Sequence, residues 1–156
     1  LRSGTESAVL AAGMASAFSQ IEPCHPSRIA RSGAGIADLR DQLRDALITD
    51  DRLAVCGDPV DRLPHHLSLI VCDHRGLPLS GRRLVRTLDL TGLAVSSGSA
   101  CSSGKDSDSR VLAAMGVQPS LRRSSIRISL GPWITREDLP EIVRRFHAGL
   151  DALHHS

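Results

Sequence analysis

The segment Ser96-Ser97-Gly98-Ser99-Ala100-Cys101-Ser102-Ser103-Gly104-Lys105 sets one cysteine among small side chains. A structural cysteine has apolar neighbours, and Cys101 has none beyond Ala100. A Ser/Gly-rich loop brings a group to where it is needed and does not fix it in a core. The thiolate is the nucleophile, and a free thiol with a pKa near ~8.5 is mostly protonated at neutral pH. Lys105, four positions on, is a cation that would favour ionisation. Cys101 therefore reads as a mobile nucleophilic thiol, against the plainer reading of a surface cysteine in a linker. Lys105 is also the only lysine among 19 basic residues, which leaves no buried amine elsewhere in this chain.

Arg127 is the second candidate. It alternates with Ile126 and Ile128, so it faces away from the side those residues bury, and Ser124, Ser125 and Ser129 lie around it. A planar guanidinium in a polar recess suits bidentate binding of a carboxylate. The competing reading is an ordinary solvent-facing arginine in an arginine-rich chain.

Other arrangements have weaker claims. Residues 98–106 resemble a phosphate-binding loop, but five residues separate Gly98 from Gly104, and Asp106 stands where a Ser or Thr would hold a metal. His65-His66 and His154-His155 are adjacent pairs without metal-ligand spacing, and Cys24, Cys56, Cys72 and Cys101 form no CxxC pair. No metal site is expected.

The elements that must position Cys101 and Arg127 follow from periodicity. Residues 6–21 read as an Ala-rich helix with Thr5 as N-cap, and residues 28–48 as a second helix through Ile36, Leu39, Leu43 and Leu47. Arg40, Asp41, Arg44 and Asp45 are expected on its solvated face. Residues 53–56, 67–72 and 93–95 read as strands, and 124–130 as a half-buried strand. A helix is expected from Ser80 or Gly81 to Thr91-Gly92, a short one over 111–115, and a last one capped by Thr135 with Asp138 in the capping-box place. The last helix buries Leu139, Ile142, Val143, Phe146, Leu150 and Leu153. The sum is an α/β fold, a small mixed sheet with helices packed against it.

Composition excludes some function classes. A net charge of +2 is too small to argue for nucleic acid or an anionic membrane, and 2% aromatic residues without Tyr supply no base-stacking platform. No apolar run approaches the ~20 residues of a membrane span, and residues 10–18, broken by Gly13 and Ser16, do not read as a targeting segment. Cysteine usage fits a reducing, cytoplasmic compartment.

Three stretches together resemble the C-terminal part of a cysteine desulfurase, of the NifS-like group with the long cysteine loop. They are Arg2-Ser3-Gly4-Thr5 at the start, Ala94 to Gly104 around the cysteine, and Arg123-Ser124-Ser125-Ile126-Arg127-Ile128-Ser129-Leu130-Gly131. The resemblance implies the C-terminal domain of a fold-type I pyridoxal-phosphate enzyme, with residues 1–26 as a connecting turn and helix at the edge of a cofactor domain. Residues 27–156 would form the small α/β domain, with the catalytic loop at 96–109. It implies that Cys101 takes sulfur from L-cysteine as a persulfide and releases alanine, with pyridoxal phosphate as electron sink. It further implies that Arg127 clamps the substrate carboxylate and that Thr5 contacts the cofactor phosphate of the other subunit of a homodimer. A sulfur-acceptor or iron–sulfur scaffold protein would be the partner.

The family's cofactor lysine, ring-stacking His and pyridine-pairing Asp lie upstream of the Arg-Ser-Gly-Thr turn and have no counterpart in this sequence. By this reading the chain alone is inactive. Leu63-Pro64-His65 carries His where the family commonly has Asn. The alternative class is a free-standing desulfurase-like module that relays sulfur or docks a partner without cofactor. A rhodanese-like or thiol peroxidase reading is weaker, because no Arg stands between Cys101 and Arg110.

Overall fold

The computed structural model describes residues 7–20, 26–97 and 109–153. The chain divides into two units, Leu1–Ser32 and Gly33–Ser156. The first contains helix α1, Ala8–Gln20, whose residues 8–19 are exposed along their whole length. Helix α2, Pro26–Leu47, runs across the division. The second unit holds strands β1 (Leu53–Cys56), β2 (His66–Val71), β3 (Ser96–Ser97) and β4 (Ser125–Ser129). Its remaining helices are α3 (Gly81–Leu90), α4 (Arg110–Ala114) and α5 (Leu139–Ala152).

The strands form one sheet in the order β1-β2-β4-β3, antiparallel at every pairing. The α/β architecture matches the sequence expectation, but the sheet is not mixed. The chain leaves β2, crosses through α3 and returns in β3, and β4 slots between β2 and β3, antiparallel to both. The third strand is also displaced. The apolar run 93–95 is outside the ladder, and pairing begins at Ser96, opposite Arg127. Leu93 and Val95 instead pack against the core without pairing.

Alternation splits the sheet into two faces. Leu53, Leu67, Leu69, Val71, Ile126 and Ile128 point to the main core, where Leu43 and Leu47 of α2, Leu84 and Leu88 of α3, and Phe146 and Leu150 of α5 cover them. Gly149 lets α5 approach α3 closely, since a methyl there would strike Leu88. The opposite face carries Cys56, His66, Ser68, Ile70, Ser125 and Arg127 in register. Leu112 of α4 covers part of it, against Cys56 and Ile70.

The helix ends follow their sequence signals. The Ser80 hydroxyl accepts from the Arg83 amide at the start of α3, and Gly92 takes a positive φ of 83° just past its end. Thr135 and Asp138 form the expected capping box over a 3-10 turn, Arg136–Asp138, that leads into α5. Trp133, in the turn before it, is 77% exposed and lies over Gly131, where a methyl would collide with its ring.

A side-chain expectation is overturned as well. Arg40 is not on a solvated face but is 5% exposed. Its Nη1 donates to the Leu63 carbonyl at 3.0 Å, and its Nε and Nη2 donate to Asp41 at 3.0 and 2.9 Å. The segment 57–65 folds over α2 and needs a donor for that carbonyl, which a long guanidinium supplies. Arg52 is similarly placed: it pairs with Asp50 at 2.7 Å and with Asp151 at 2.7 Å, joining the entry of β1 to the end of α5.

Candidate active site

A cleft of about 330 Å³ opens on the face opposite the main core. Its walls are the outer face of β1, β2 and β4, the segment after β1, and α4. Cys56, His66, Ser68 and Ser125 come from the sheet, Arg62 from the approach to β2, and Ser109 and Leu112 from the start of α4. Arg127 of β4 lines it as well.

The segment after β1 is held by its own side chains. Gly57 turns with φ 96°, and Asp58 Oδ1 accepts the Val60 and Asp61 amides, each at 2.7 Å. Those bonds hold the Asp58 carboxyl below its usual range. Arg62 Nε donates to the Asp58 carbonyl at 2.6 Å, which fixes the guanidinium beside the cleft. The buried Arg40 bond to Leu63 anchors the other end of this segment to α2.

Arg127 stands as its alternation requires: exposed, on the face away from the core. Ser68 and Ser96 are its direct cross-strand neighbours, and its Nη2 donates to Ser96 Oγ at 3.3 Å. Among the described residues it pairs with no carboxylate, which leaves a guanidinium available to an anion. The three serines expected around it divide. Ser124 is buried and its hydroxyl donates to the Leu121 carbonyl at 2.7 Å. Ser129 is exposed. Ser125 is 2% exposed, lines the cleft, and its Oγ has no hydrogen-bond partner among the described residues.

His66 was an incidental histidine by sequence, and the register brings it to this face beside Arg127. Burial lowers its pKa below 6.5, and the charges of Arg127, His65 and Arg62 add to the effect. His66 is therefore held neutral. Burial pushes the Cys56 thiol up, and Arg62 with the Gly57 and Ser68 hydrogen bonds opposes that only in part. Burial and Asp73 push Cys72 up too. Both are free thiols, and the upward shift leaves each less ionised at neutral pH than an ordinary cysteine. Among the described residues, no group of His, Cys, Asp or Glu could hold a metal ion.

Thr5 and Cys101 lie outside the described residues, as do Cys24 and Lys105. The two edges of the segment that bears Cys101 are described. Ser96 bonds Arg127, and Ser109 lines the cleft, where its Oγ accepts the Leu112 amide at 3.3 Å. Sequence reasoning reached Arg127 and the serines around it, Ser125 included, but missed Arg62 and His66 as companions. That Ser125 is the one of the three serines that lines the cleft follows from its place two residues before Arg127 on the same strand face. His66 needed the cross-strand register.

No protein-family model matches the chain. Individual proteins do. A cysteine desulfurase of Cereibacter sphaeroides is 36% identical over 106 residues, 67% of this chain and 26% of that protein. The cysteine desulfurase IscS of Methylococcus capsulatus is 35% identical over 139 residues, 89% of this chain and 32% of that protein. The chain is homologous to the cysteine desulfurases. In structure, a NifS-like protein from Rickettsia africae superposes with a TM-score of 0.63 at 26% identity, covering 80% of this chain and 31% of that one. A second NifS-like protein, 22% identical, shares the fold with the same TM-score of 0.63. The chain thus spans about a quarter to a third of the cysteine desulfurases it matches. Among its described residues, no helix is long and apolar enough to cross a membrane.

Proposed function

We propose that this chain is the C-terminal domain of a cysteine desulfurase, with residues 1–26 joining it to a cofactor domain and residues 27–156 forming the small domain. Cys101 receives the sulfur and Arg127 binds the substrate carboxylate. The observation that carries this reading is the placement of Ser96 and Ser109. They flank the Cys101 segment on either side: Ser109 lines the cleft that holds Arg127, and Ser96 accepts a hydrogen bond from Arg127 itself. The raised pKa values of Cys56 and Cys72 support it, because they leave the described thiols poor competitors.

The net reaction balances without an external oxidant. The Cys101 thiolate attacks the sulfur of L-cysteine, an S–S bond forms, and the substrate C–S bond breaks. The electron pair of that bond stays with the carbon fragment, which takes up a proton and leaves as alanine. A persulfide remains on Cys101. Arg127 orients the substrate through its carboxylate, and the neutral His66 beside it adds no competing positive charge.

Pyridoxal phosphate, the cofactor this family implies, would supply an electron sink for the carbon fragment. It requires a lysine amine in a fixed site, and the described residues contain no lysine. The described residues therefore do not fit the group by themselves. In this reading the cofactor is held by other parts of a homodimeric enzyme, with Thr5 as one phosphate contact. The persulfide passes to a sulfur-acceptor or iron–sulfur scaffold protein in the cytoplasm.

Mass spectrometry of the complete enzyme after L-cysteine treatment tests the proposal. The added sulfur is expected on Cys101, and Cys101→Ser is expected to abolish alanine release while leaving cofactor absorbance intact. Arg127→Ala is expected to raise KM through loss of a charge-assisted pair of about 1.5–3 kcal/mol. Sulfur on Cys24, Cys56 or Cys72, with normal turnover by the Cys101→Ser enzyme, would overturn it. Sulfur that reaches Cys101 only from another persulfide, never from L-cysteine, would move the chain to the relay class.

A further inference from the structure

We propose that the Ser125 hydroxyl is a second binding group for the carboxylate of the ligand that Arg127 holds. The inference rests on the reading of Arg127 as a carboxylate-binding residue and adds a residue to that site.

Ser125 is a polar side chain that the fold buries without satisfying. It is 2% exposed, and its Oγ has no hydrogen-bond partner among the described residues. Leaving a buried hydroxyl unpaired costs about 1–3 kcal/mol, so such a group calls for a partner that arrives with a ligand. Its neighbour Ser124 makes the contrast. Ser124 is equally buried, but its hydroxyl is spent on the Leu121 carbonyl.

The place of Ser125 says what that ligand is. It lies two residues from Arg127 on the same face of β4, about 7 Å along the strand, and both line the same cleft. A guanidinium side chain is long enough to close that interval around a small ligand. The surroundings favour acceptor oxygens. Arg62 and Arg127 both line the cleft. The Asp58 carboxylate is engaged with the loop amides, and Asp61 is the other acidic residue of the lining. Beside the Arg127 guanidinium, which has no carboxylate partner among the described residues, a free hydroxyl serves best as a donor, and a carboxylate offers one oxygen to each of two donors.

The β4 backbone at Ser125 is braced for this task. The Gly81 amide donates to the Arg123 carbonyl at 3.0 Å and the Val71 amide to the Ser124 carbonyl at 2.9 Å. The hydroxyl is thereby presented from a strand with its own hydrogen bonds made.

The test is an NMR titration of the 156-residue chain with L-alanine, following the Arg127 Nε–H and the Ser125 backbone amide, with alaninamide as the carboxylate-free control. The expected result is saturable shifts with L-alanine and none with alaninamide. Ser125→Ala is expected to weaken binding by about tenfold, Ser125→Cys to weaken it less, and Ser125→Thr to retain it. Ser125→Cys carries the test should Ser125→Ala fail to fold. Equal affinity in the wild type and in the variants without a hydroxyl would overturn the inference, and so would the absence of a saturable shift in the wild type. The titration is independent of turnover. If L-alanine binds as expected but no persulfide forms on Cys101 in the complete enzyme, the desulfurase reading falls and this inference stands. If the persulfide forms and Ser125→Ala binds L-alanine like the wild type, the inference falls alone.

Discussion

At the scale of single residues, the cleft brings together groups of unlike sequence prominence. Arg127 was visible because a strand that alternates isoleucine with a cation declares which side chain faces out. His66 was not, because its importance comes from a neighbour some 60 positions away that only the β2–β4 register identifies. Its titration gives a measurable consequence. The folded protein holds its pKa below the 6.5 of an unperturbed histidine, by burial first and then by Arg127, His65 and Arg62. The unfolded state therefore binds the proton first as pH falls, and stability rises with pH across the window just below 6.5. Above it the neutral form prevails in both states and the dependence ends. Urea midpoints followed by circular dichroism should be lower at about pH 5.5 than at about pH 7.5. His66→Gln should reduce that difference, and an unchanged difference would show that His66 is not its source.

Elements were legible wherever a local signal and the core agreed. The strands at 53–56 and 125–129 and the helix over 81–90 form close to where periodicity and caps place them. The misses share a cause, which is that chain neighbours in space are not written locally. Arg40 read as solvated because nothing in the α2 pattern announces that a distant carbonyl will fold over it. The run 93–95 read as a strand because it is apolar, yet the ladder needs partners in register, and β4 offers them to Ser96 and Ser97 instead. Strand direction was also beyond reach, since it depends on β4 inserting between two strands joined by a helix.

Gly81 shows the same point in reverse. A methyl at Gly81 would meet the Ser125 carbonyl closer than real contacts allow, with the Arg123 carbonyl at 3.2 Å behind it. Both are backbone atoms and cannot swing aside. Gly81→Ala is expected to destabilise by about 1–3 kcal/mol, measured by urea denaturation. It should also weaken L-alanine binding, because it pushes on the strand at Ser125. Gly35→Ala, in α2 with open space around it, is expected to stabilise by about 0.5–1 kcal/mol. Equal effects at the two positions would refute the close seating of α3 on β4.

For the whole molecule, the resemblance seen in three short stretches and the homology to cysteine desulfurases agree, while the roles of Cys101, Arg127 and Thr5 rest on the proposal above. One feature of the turn before α5 also governs how the chain can be observed in solution. Trp133 is the only tryptophan, there is no tyrosine, and the indole lies 77% exposed over Gly131. Its fluorescence therefore reports a surface turn and not the packing of the core. The native emission maximum should already sit at the wavelength of a water-exposed indole and should move little in denaturant, while the far-ultraviolet ellipticity collapses. A large red shift on unfolding would mean that the indole is shielded in solution. Otherwise the protein is nearly dark to the commonest optical probe of folding, and an unchanged emission spectrum after mutation says nothing about whether the core has survived.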